Sequence, residues 1–159
     1  NYYSDPLMSP LIRKRYDLPL KLPIMLEFFH NAFMIPRKIF KEVGLFDSYM
    51  FPIHLSEVEF AQRLNRKGYI IALIPEARVW HDAPPYIVRA KGMDNARAFY
   101  TLRNRIILAR RRSPLYLLFF TYYVLPLLLI YHMKIAYDIK DLSYLRAIIK
   151  GVIDGFKRG

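Results

Sequence analysis

The sequence has no cysteine and few acidic residues, and both absences narrow what the protein can do. Because cysteine is absent, disulfides and thiolate metal sites are excluded, and a metal site could use only His, Asp and Glu. The 13 acidic residues face 25 Lys and Arg, which gives a formal charge of +12, and 54% of all residues are hydrophobic. This combination of basic and apolar residues favours binding to an anionic membrane over binding to nucleic acid.

Charge is also absent from a long stretch in the last third of the chain. No charged residue occurs from Ser113 to Met133, directly after an arginine-rich segment that runs from Arg89 to Arg112. A helix of about 20 residues is about 30 Å long, which is the hydrocarbon thickness of a bilayer. The stretch therefore predicts a membrane segment, with the arginines as its positively charged flank on the cytoplasmic side. Contact between these arginines and the phosphates of a lipid-linked acceptor is the alternative.

The residues after this stretch predict a second membrane contact. From Asp141 onward, apolar residues recur at helical spacing while basic residues lie elsewhere on the helix, which is typical of an amphipathic helix on a membrane surface. Two topologies of the apolar stretch remain open. It forms either a single span, or a re-entrant or interfacial arrangement bent at Pro126, where proline removes a helix hydrogen bond.

Upstream, the segment LSEVEFAQRLNRKGY from Leu55 to Tyr69 predicts a helix with one apolar side and two glutamates at its start. Glu59 lies three residues after Ser56, and this spacing predicts a capping box, in which each side chain binds a free amide at the helix start. Glu57 has no such partner and gains only about 0.3–1 kcal/mol from the helix dipole. Of the two glutamates, only Glu57 therefore lacks a full structural role.

Shorter elements are predicted on either side of this helix. Pro36 and Gly44 predict the start and the end of a short helix. The apolar run from Phe28 to Ile35 and the run after Gly68 both have the length of a strand. Asp47 is expected to shape a turn.

Taken in order, the motifs GLFDSYMFPIHLSEVEFAQRLNRKGYIIALIPEARVWHD and FYTLRNRIILARR, with the apolar segment after them, resemble the C-terminal part of family-2 glycosyltransferases. The resemblance is close from Asn31 to Arg112. It implies an α/β fold, namely the second half of an A-type nucleotide-sugar transferase domain followed by membrane-associated helices. Residues 1–112 would then form the acceptor-side part of the transferase domain, and residues 113–159 the membrane segment and the amphipathic tail helix.

The resemblance also implies roles for individual residues. Glu57 occupies the position of the family's catalytic aspartate, which makes it the candidate base, although its side chain is one methylene longer. Arg63 matches the arginine of the same block, where it either contacts a phosphate of the nucleotide sugar or forms an ion pair within the fold. His81 matches the histidine that ends the block. It is the candidate metal ligand, and the alternative is a strand-end histidine that binds the backbone.

The chemistry that the resemblance implies is inverting transfer from a nucleotide sugar to a hydroxyl of a lipid-linked or glycan acceptor, assisted by Mg²⁺ or Mn²⁺. The family's Asp-x-Asp metal motif is absent. The chain is therefore expected to be a fragment that is inactive alone, with most metal ligands in a missing N-terminal half. Its expected location is the cell membrane, with the catalytic part on the cytoplasmic face.

Two other classes of function are weighed against the enzyme. The first is a non-catalytic, membrane-bound interaction module derived from such a domain. The second, nucleic-acid binding, is disfavoured because the basic residues flank an apolar segment of membrane-spanning length instead of alternating with aromatic residues that could stack on bases.

Overall fold

A computed structural model describes residues 2–3, 14–15, 24–26, 28, 32–74, 77–78, 80 and 95–158 of the chain. In chain order these residues form strands β1 (Tyr2–Tyr3), β2 (Lys14–Arg15) and β3 (Ile24–Leu26), helices α1 (Arg37–Val43) and α2 (Ser56–Arg66), strand β4 (Ile71–Leu73), and helices α3 (Asn95–Arg112), α4 (Pro114–Phe119), α5 (Leu125–Ile139) and α6 (Leu142–Lys157). A π-helical segment, Phe120–Val124, joins α4 to α5. These three pieces are called the apolar helix, Pro114–Ile139.

The expected α/β fold class is wrong, because the described residues are mostly helical. Strands β1 and β2 form one antiparallel pair and β3 and β4 another, and within the described ranges neither pair belongs to a larger sheet. The run after Gly68 does form a strand, β4. The run from Phe28 to Ile35 forms none over its described residues, and the ring of Phe33 instead packs 6.1 Å from that of Phe46. An apolar run of strand length becomes a strand only where a partner strand lies beside it.

The chain divides into two compact units. The α2 unit contains residue 1 and residues 16–82, and the helical unit contains residues 2–15 and 83–159. Helix α3 belongs to the helical unit because it packs against the helices that follow it. The boundary between a transferase part and a membrane part after Arg112 stays a prediction.

One face of α2 builds the core of the α2 unit. Its buried residues are Val58, Glu59, Phe60, Ala61 and Leu64. The ring of Phe60 stacks on that of Phe46, with 4.6 Å between the ring centres. The predicted short helix is confirmed as α1, which follows Pro36 and ends at Gly44. Gly44 and Gly68 have φ angles of +89° and +78°, a region that favours glycine, so both predicted chain reversals after the helices are confirmed.

In the helical unit, α3 and α6 lie side by side and run in the same direction. Asn95 at the start of α3 donates from its side-chain amide to Oγ of Ser143 (3.1 Å). Arg110 near the end of α3 donates to the carbonyl of Phe156 near the end of α6 (2.9 Å). The apolar helix connects the end of α3 to the start of α6, so it runs in the opposite direction beside them.

Two glycines allow α6 to approach the backbone of α3. A Cβ atom at Gly151 would lie 2.0 Å from the carbonyl oxygen of Phe99, and one at Gly155 would lie 3.0 Å from that of Arg103. Because atoms in protein interiors are close-packed, no side chain fits at Gly151 unless the two helices move apart.

The apolar helix passes through Pro126 without turning back. Proline has no N–H and its ring clashes with the preceding turn, and the π-helical segment Phe120–Val124 lies directly before it. The predicted bend at Pro126 is therefore a local change of helical pitch, and no hairpin forms there. The chain reverses at Lys140, which has a φ of 54°, and Asp141 then caps α6 by accepting from the amide of Ser143 (2.8 Å).

The predicted tail helix is confirmed as α6, but its buried side is not its most apolar side. The buried residues are Tyr144, Ala147, Ile148, Gly151 and Gly155. Most of the large apolar residues that define the predicted apolar face remain exposed, among them Leu142 (71%), Ile149 (48%) and Ile153 (50%). Helix α6 therefore packs within the unit through the face that carries its small residues and leaves most of its large apolar residues exposed.

Candidate functional site

The start of α2 holds Glu57 on a strained turn. His54 and Leu55, which lead into the helix, have φ angles of 68° and 66°. This left-handed conformation is uncommon for residues other than glycine, and it costs about 1–3 kcal/mol for each residue that adopts it. Leu55 is 5% exposed, so burial of its side chain holds the turn in place. Strain of this kind persists only where the surrounding structure imposes it, and it is concentrated at functional sites.

The carboxylate of Glu57 is oriented by the neighbouring hydroxyl. Ser56 donates from Oγ to Oε2 of Glu57 (2.9 Å), and Glu57 is half-buried in the first turn of α2. Among the described residues, no basic side chain forms an ion pair with Glu57. A carboxylate that is positioned, partly accessible and not neutralised by a cation is suited to accept a proton from a hydroxyl.

The predicted capping box between Ser56 and Glu59 is wrong. Ser56 binds Glu57, and the amide of Glu59 donates to the carbonyl of Leu55 (3.0 Å) as the first turn of the helix closes. The left-handed Leu55 precedes the helix as its N-cap, so Ser56 lies inside the first turn and its hydroxyl does not reach the amide of Glu59. The sequence could not show this shift, because leucine is not a residue that favours a positive φ.

Glu59 has a structural role with another partner, Arg63. Nε of Arg63 donates to both carboxylate oxygens of Glu59 at 3.0 Å, and Glu59 is 3% exposed. The same guanidinium donates to the carbonyls of Val43 and Leu45 at 2.7 Å each. Arg63 therefore ties α2 to the chain that leaves α1. This geometry favours the ion-pair alternative for Arg63, and its contact with a nucleotide phosphate stays a prediction.

The other predicted site residues are placed as follows. Asp47 shapes a turn as predicted, since its Oδ1 accepts from the amide of Met50 (2.9 Å). His81, the predicted metal ligand, lies outside the described residues. Within the described part of the chain, no group of three His, Asp or Glu residues is arranged to hold a metal ion. These residues therefore do not supply a site for Mg²⁺ or Mn²⁺.

The arginines of α3 are largely engaged within the helical unit. Arg103 is 3% exposed and forms an ion pair with Asp154 (2.7 Å). Arg105 is also buried and donates to the carbonyl of Thr101 (2.7 Å), while the guanidinium of Arg112 lies 4.5 Å from the ring centre of Tyr116. These contacts favour a structural role for the buried arginines over phosphate binding.

Asp154 is the carboxylate that binds two arginines where α3 and α6 meet. It accepts from Arg103 on α3 and from Arg158 after the end of α6 (3.0 Å). Burial alone would raise the pKa of Asp154, but the hydrogen bonds from the two arginines outweigh it and hold this pKa below its usual value. The charged form of Asp154 therefore stabilises the contact between α3 and α6.

The apolar helix has the length and composition of a membrane segment. It comprises 26 residues with a mean hydropathy of 1.8 over its most apolar part, most of which is not buried within the protein. One such helix is weak evidence for membrane association, and it does not reveal the side of the membrane on which the rest of the chain lies. In comparisons with known proteins, no family model matches the chain, and no curated sequence or solved structure is significantly similar to it.

Proposed function

We propose that the chain is the acceptor-side part of a membrane-associated glycosyltransferase. The enzyme moves a sugar from a nucleotide donor to a hydroxyl of a lipid-linked or polysaccharide acceptor. The observation that carries the proposal is the strained turn at His54 and Leu55. It directly precedes Ser56 and Glu57, and Glu57 is the residue that matches in sequence the catalytic carboxylate of the resembling enzymes. The backbone strain and the sequence resemblance are independent of each other, and both point to Glu57.

In the proposed reaction, Glu57 is the general base. Its carboxylate accepts the proton of the acceptor hydroxyl while the hydroxyl oxygen bonds to the anomeric carbon of the donor sugar. The bond from that carbon to the nucleoside diphosphate breaks at the same time, so the sugar is transferred with inversion of configuration. Ser56 orients the carboxylate, because its hydroxyl occupies one of the two oxygens and leaves the other for the acceptor.

The donor site is proposed to lie in a nucleotide-binding part outside the described residues. A divalent cation bound there would stabilise the charge on the leaving diphosphate. We place the catalytic part on the cytoplasmic face of the cell membrane, because its anionic lipids attract a basic segment such as the end of α3, with Arg110, Arg111 and Arg112.

A non-catalytic membrane module is the second candidate, and it requires only the exposed apolar surface of the apolar helix. Tyr122, Leu127 and Ile130 are exposed by 72%, 53% and 58% on that helix. A surface of this kind suits attachment to a membrane whether or not the chain takes part in catalysis.

The test compares two glutamine variants of the chain joined to the proposed nucleotide-binding part, in membranes supplied with nucleotide sugars. Glu57→Gln should lower the transfer rate by about 10²–10⁴-fold, the usual contribution of a positioned base, and leave the melting temperature unchanged. Glu59→Gln is the matched control, since it should lower stability and leave the turnover of each folded molecule nearly unchanged. Normal turnover by Glu57→Gln would refute the proposal. Absence of transfer by the wild type with every nucleotide sugar would favour the membrane module.

A further inference from the structure

The packing of α6 against α3 limits how the apolar helix can lie in a membrane. The ion pair of Arg103 with Asp154 (2.7 Å) and the bond from Arg110 to the carbonyl of Phe156 (2.9 Å) join the helix before the apolar segment to the helix after it. A single span would separate these two helices by the bilayer thickness of about 30 Å and break both contacts. The two flanks therefore lie on the same side of the membrane.

The helical unit cannot cross the bilayer as a whole either. Helix α3 lies beside the start of the apolar helix, since α4 and the π-helical segment both contact it. At the other end His132 hydrogen-bonds to Tyr144 of α6 (2.5 Å), and α6 packs along α3. A transmembrane bundle would carry the exposed Arg146 and Lys150, near the middle of α6, into hydrocarbon, where each costs about 2.5–3.5 kcal/mol near the centre.

The charged and exposed residues of α6 show which face of the helical unit is suited to contact a membrane. Exposed Ile149 and Ile153 lie on the outer side of α6, and exposed Arg146, Lys150 and Lys157 form a basic edge along the same side. An apolar stripe with a basic edge is the pattern of a helix that inserts into the headgroup region of anionic lipid. The apolar helix also leaves large apolar side chains exposed, among them Leu118, Leu127 and Ile130.

We propose that the helical unit lies in the plane of one leaflet of an anionic membrane, with the apolar helix parallel to the surface instead of across it. The apolar side chains of both helices enter the boundary between headgroups and acyl chains, and the basic edge of α6 binds lipid phosphates. This inference concerns membrane attachment alone and does not depend on the proposed enzymatic function.

The first experiment uses single cysteines, which are unambiguous labels because the chain has no cysteine of its own. Arg97→Cys before the apolar helix and Lys150→Cys after it are both at exposed positions. In sealed membrane vesicles from cells that express the protein, a membrane-impermeant maleimide should label both cysteines from the same side. Labelling from opposite sides would overturn the proposal. Labelling in detergent is the control for reactivity at each position.

The second experiment measures depth along the apolar helix with lipid-borne quenchers. A fluorescent label at Leu118→Cys, Leu127→Cys or Tyr137→Cys occupies an exposed position near the start, the middle or the end of the helix. The proposal expects the same depth for all three labels, about 5–10 Å into the boundary region. A label at position 127 near the bilayer centre, with shallower labels at 118 and 137, would show a span and overturn the proposal.

The third experiment tests the charge of the lipid partner. The double variant Arg146→Gln with Lys150→Gln should bind vesicles of phosphatidylcholine and phosphatidylglycerol about 25-fold more weakly, since each basic residue contributes about fivefold. Binding to pure phosphatidylcholine should stay unchanged. Equal binding of the wild type to both vesicle types would refute the role of the basic edge. A soluble oligomer that binds neither would show that another copy of the chain covers the apolar residues.

Discussion

The substitution Gly151→Ala tests the contact between α3 and α6 most directly. A Cβ at this position would lie 2.0 Å from the carbonyl oxygen of Phe99 and 2.9 Å from its carbonyl carbon. Since Cβ contacts under 3.0 Å are essentially never found, the two helix backbones must separate by about 1 Å. Overpacking of this kind costs about 1–3 kcal/mol, and the upper end applies because the obstacle is backbone that cannot rotate away. Alanine gains about 1 kcal/mol over glycine in helix propensity. The expected net loss of unfolding free energy is about 2 kcal/mol.

The assay is urea unfolding of the intact chain in detergent micelles, followed by far-ultraviolet circular dichroism. Gly155→Ala should cost less than Gly151→Ala, because its closest backbone atom lies at 3.0 Å. The exposed Lys150→Ala is the control for an ordinary surface change on the same helix. If Gly151→Ala is as stable as the wild type or more stable, the helices do not touch at this position, and the argument against a single span loses its main support.

Three further predictions concern the other structural features. Glu59→Ala should lower the free energy of unfolding by about 1–3 kcal/mol, because it leaves Arg63 without its carboxylate partner, and thermal melting checks the change. The stability of the helical unit should start to fall below about pH 6.5, because burial lowers the pKa of His132 to about 4 and the unfolded chain takes up this proton first. Because the folded-state pKa of Asp154 lies below its unfolded value of 3.8, the contribution of this group should be lost as the pH falls below about 4. In Asp154→Asn, circular dichroism should show a smaller loss than the wild type in that window, since His132 and Asp141 still titrate there. His54→Gly should be more stable than His54→Ala by about 1 kcal/mol, because both remove the side chain and only glycine relieves the left-handed strain. Equal stability of these two variants would show that His54 is not strained.

The sequence predicted those features that depend on one or two residues. Gly44 and Gly68 end their helices because glycine adopts a positive φ at low cost, a property that holds in any protein. The amphipathic pattern of α6 was equally visible, because helical spacing alone defines it. Both features could be predicted because they depend only on residues that are close in sequence, and the structure contains both.

The features that depend on distant contacts were not predictable in this way. A capping box requires Ser56 to precede the helix, but the burial of Leu55 moves the helix start by one residue and redirects the hydroxyl to Glu57. Similarly, the face of α6 that becomes buried is set by how closely α3 can approach, and the small residues at positions 151 and 155 decide this. The α/β expectation failed because it was taken from a resemblance. The strands that it required have only short partners among the described residues.

Because Arg103 and Asp154 are far apart in sequence, the contact between them can form only late during synthesis. The two residues are 51 positions apart, and the apolar helix lies between them. At about 5–20 residues per second, the ribosome takes several seconds to reach Asp154 after it has added Arg103. During this interval α3 has no carboxylate from α6 and no glycine face to pack against, whereas the apolar helix has already been made. The apolar helix is therefore complete before α6 can pack against α3, so the helical unit closes only after the whole apolar helix has been made.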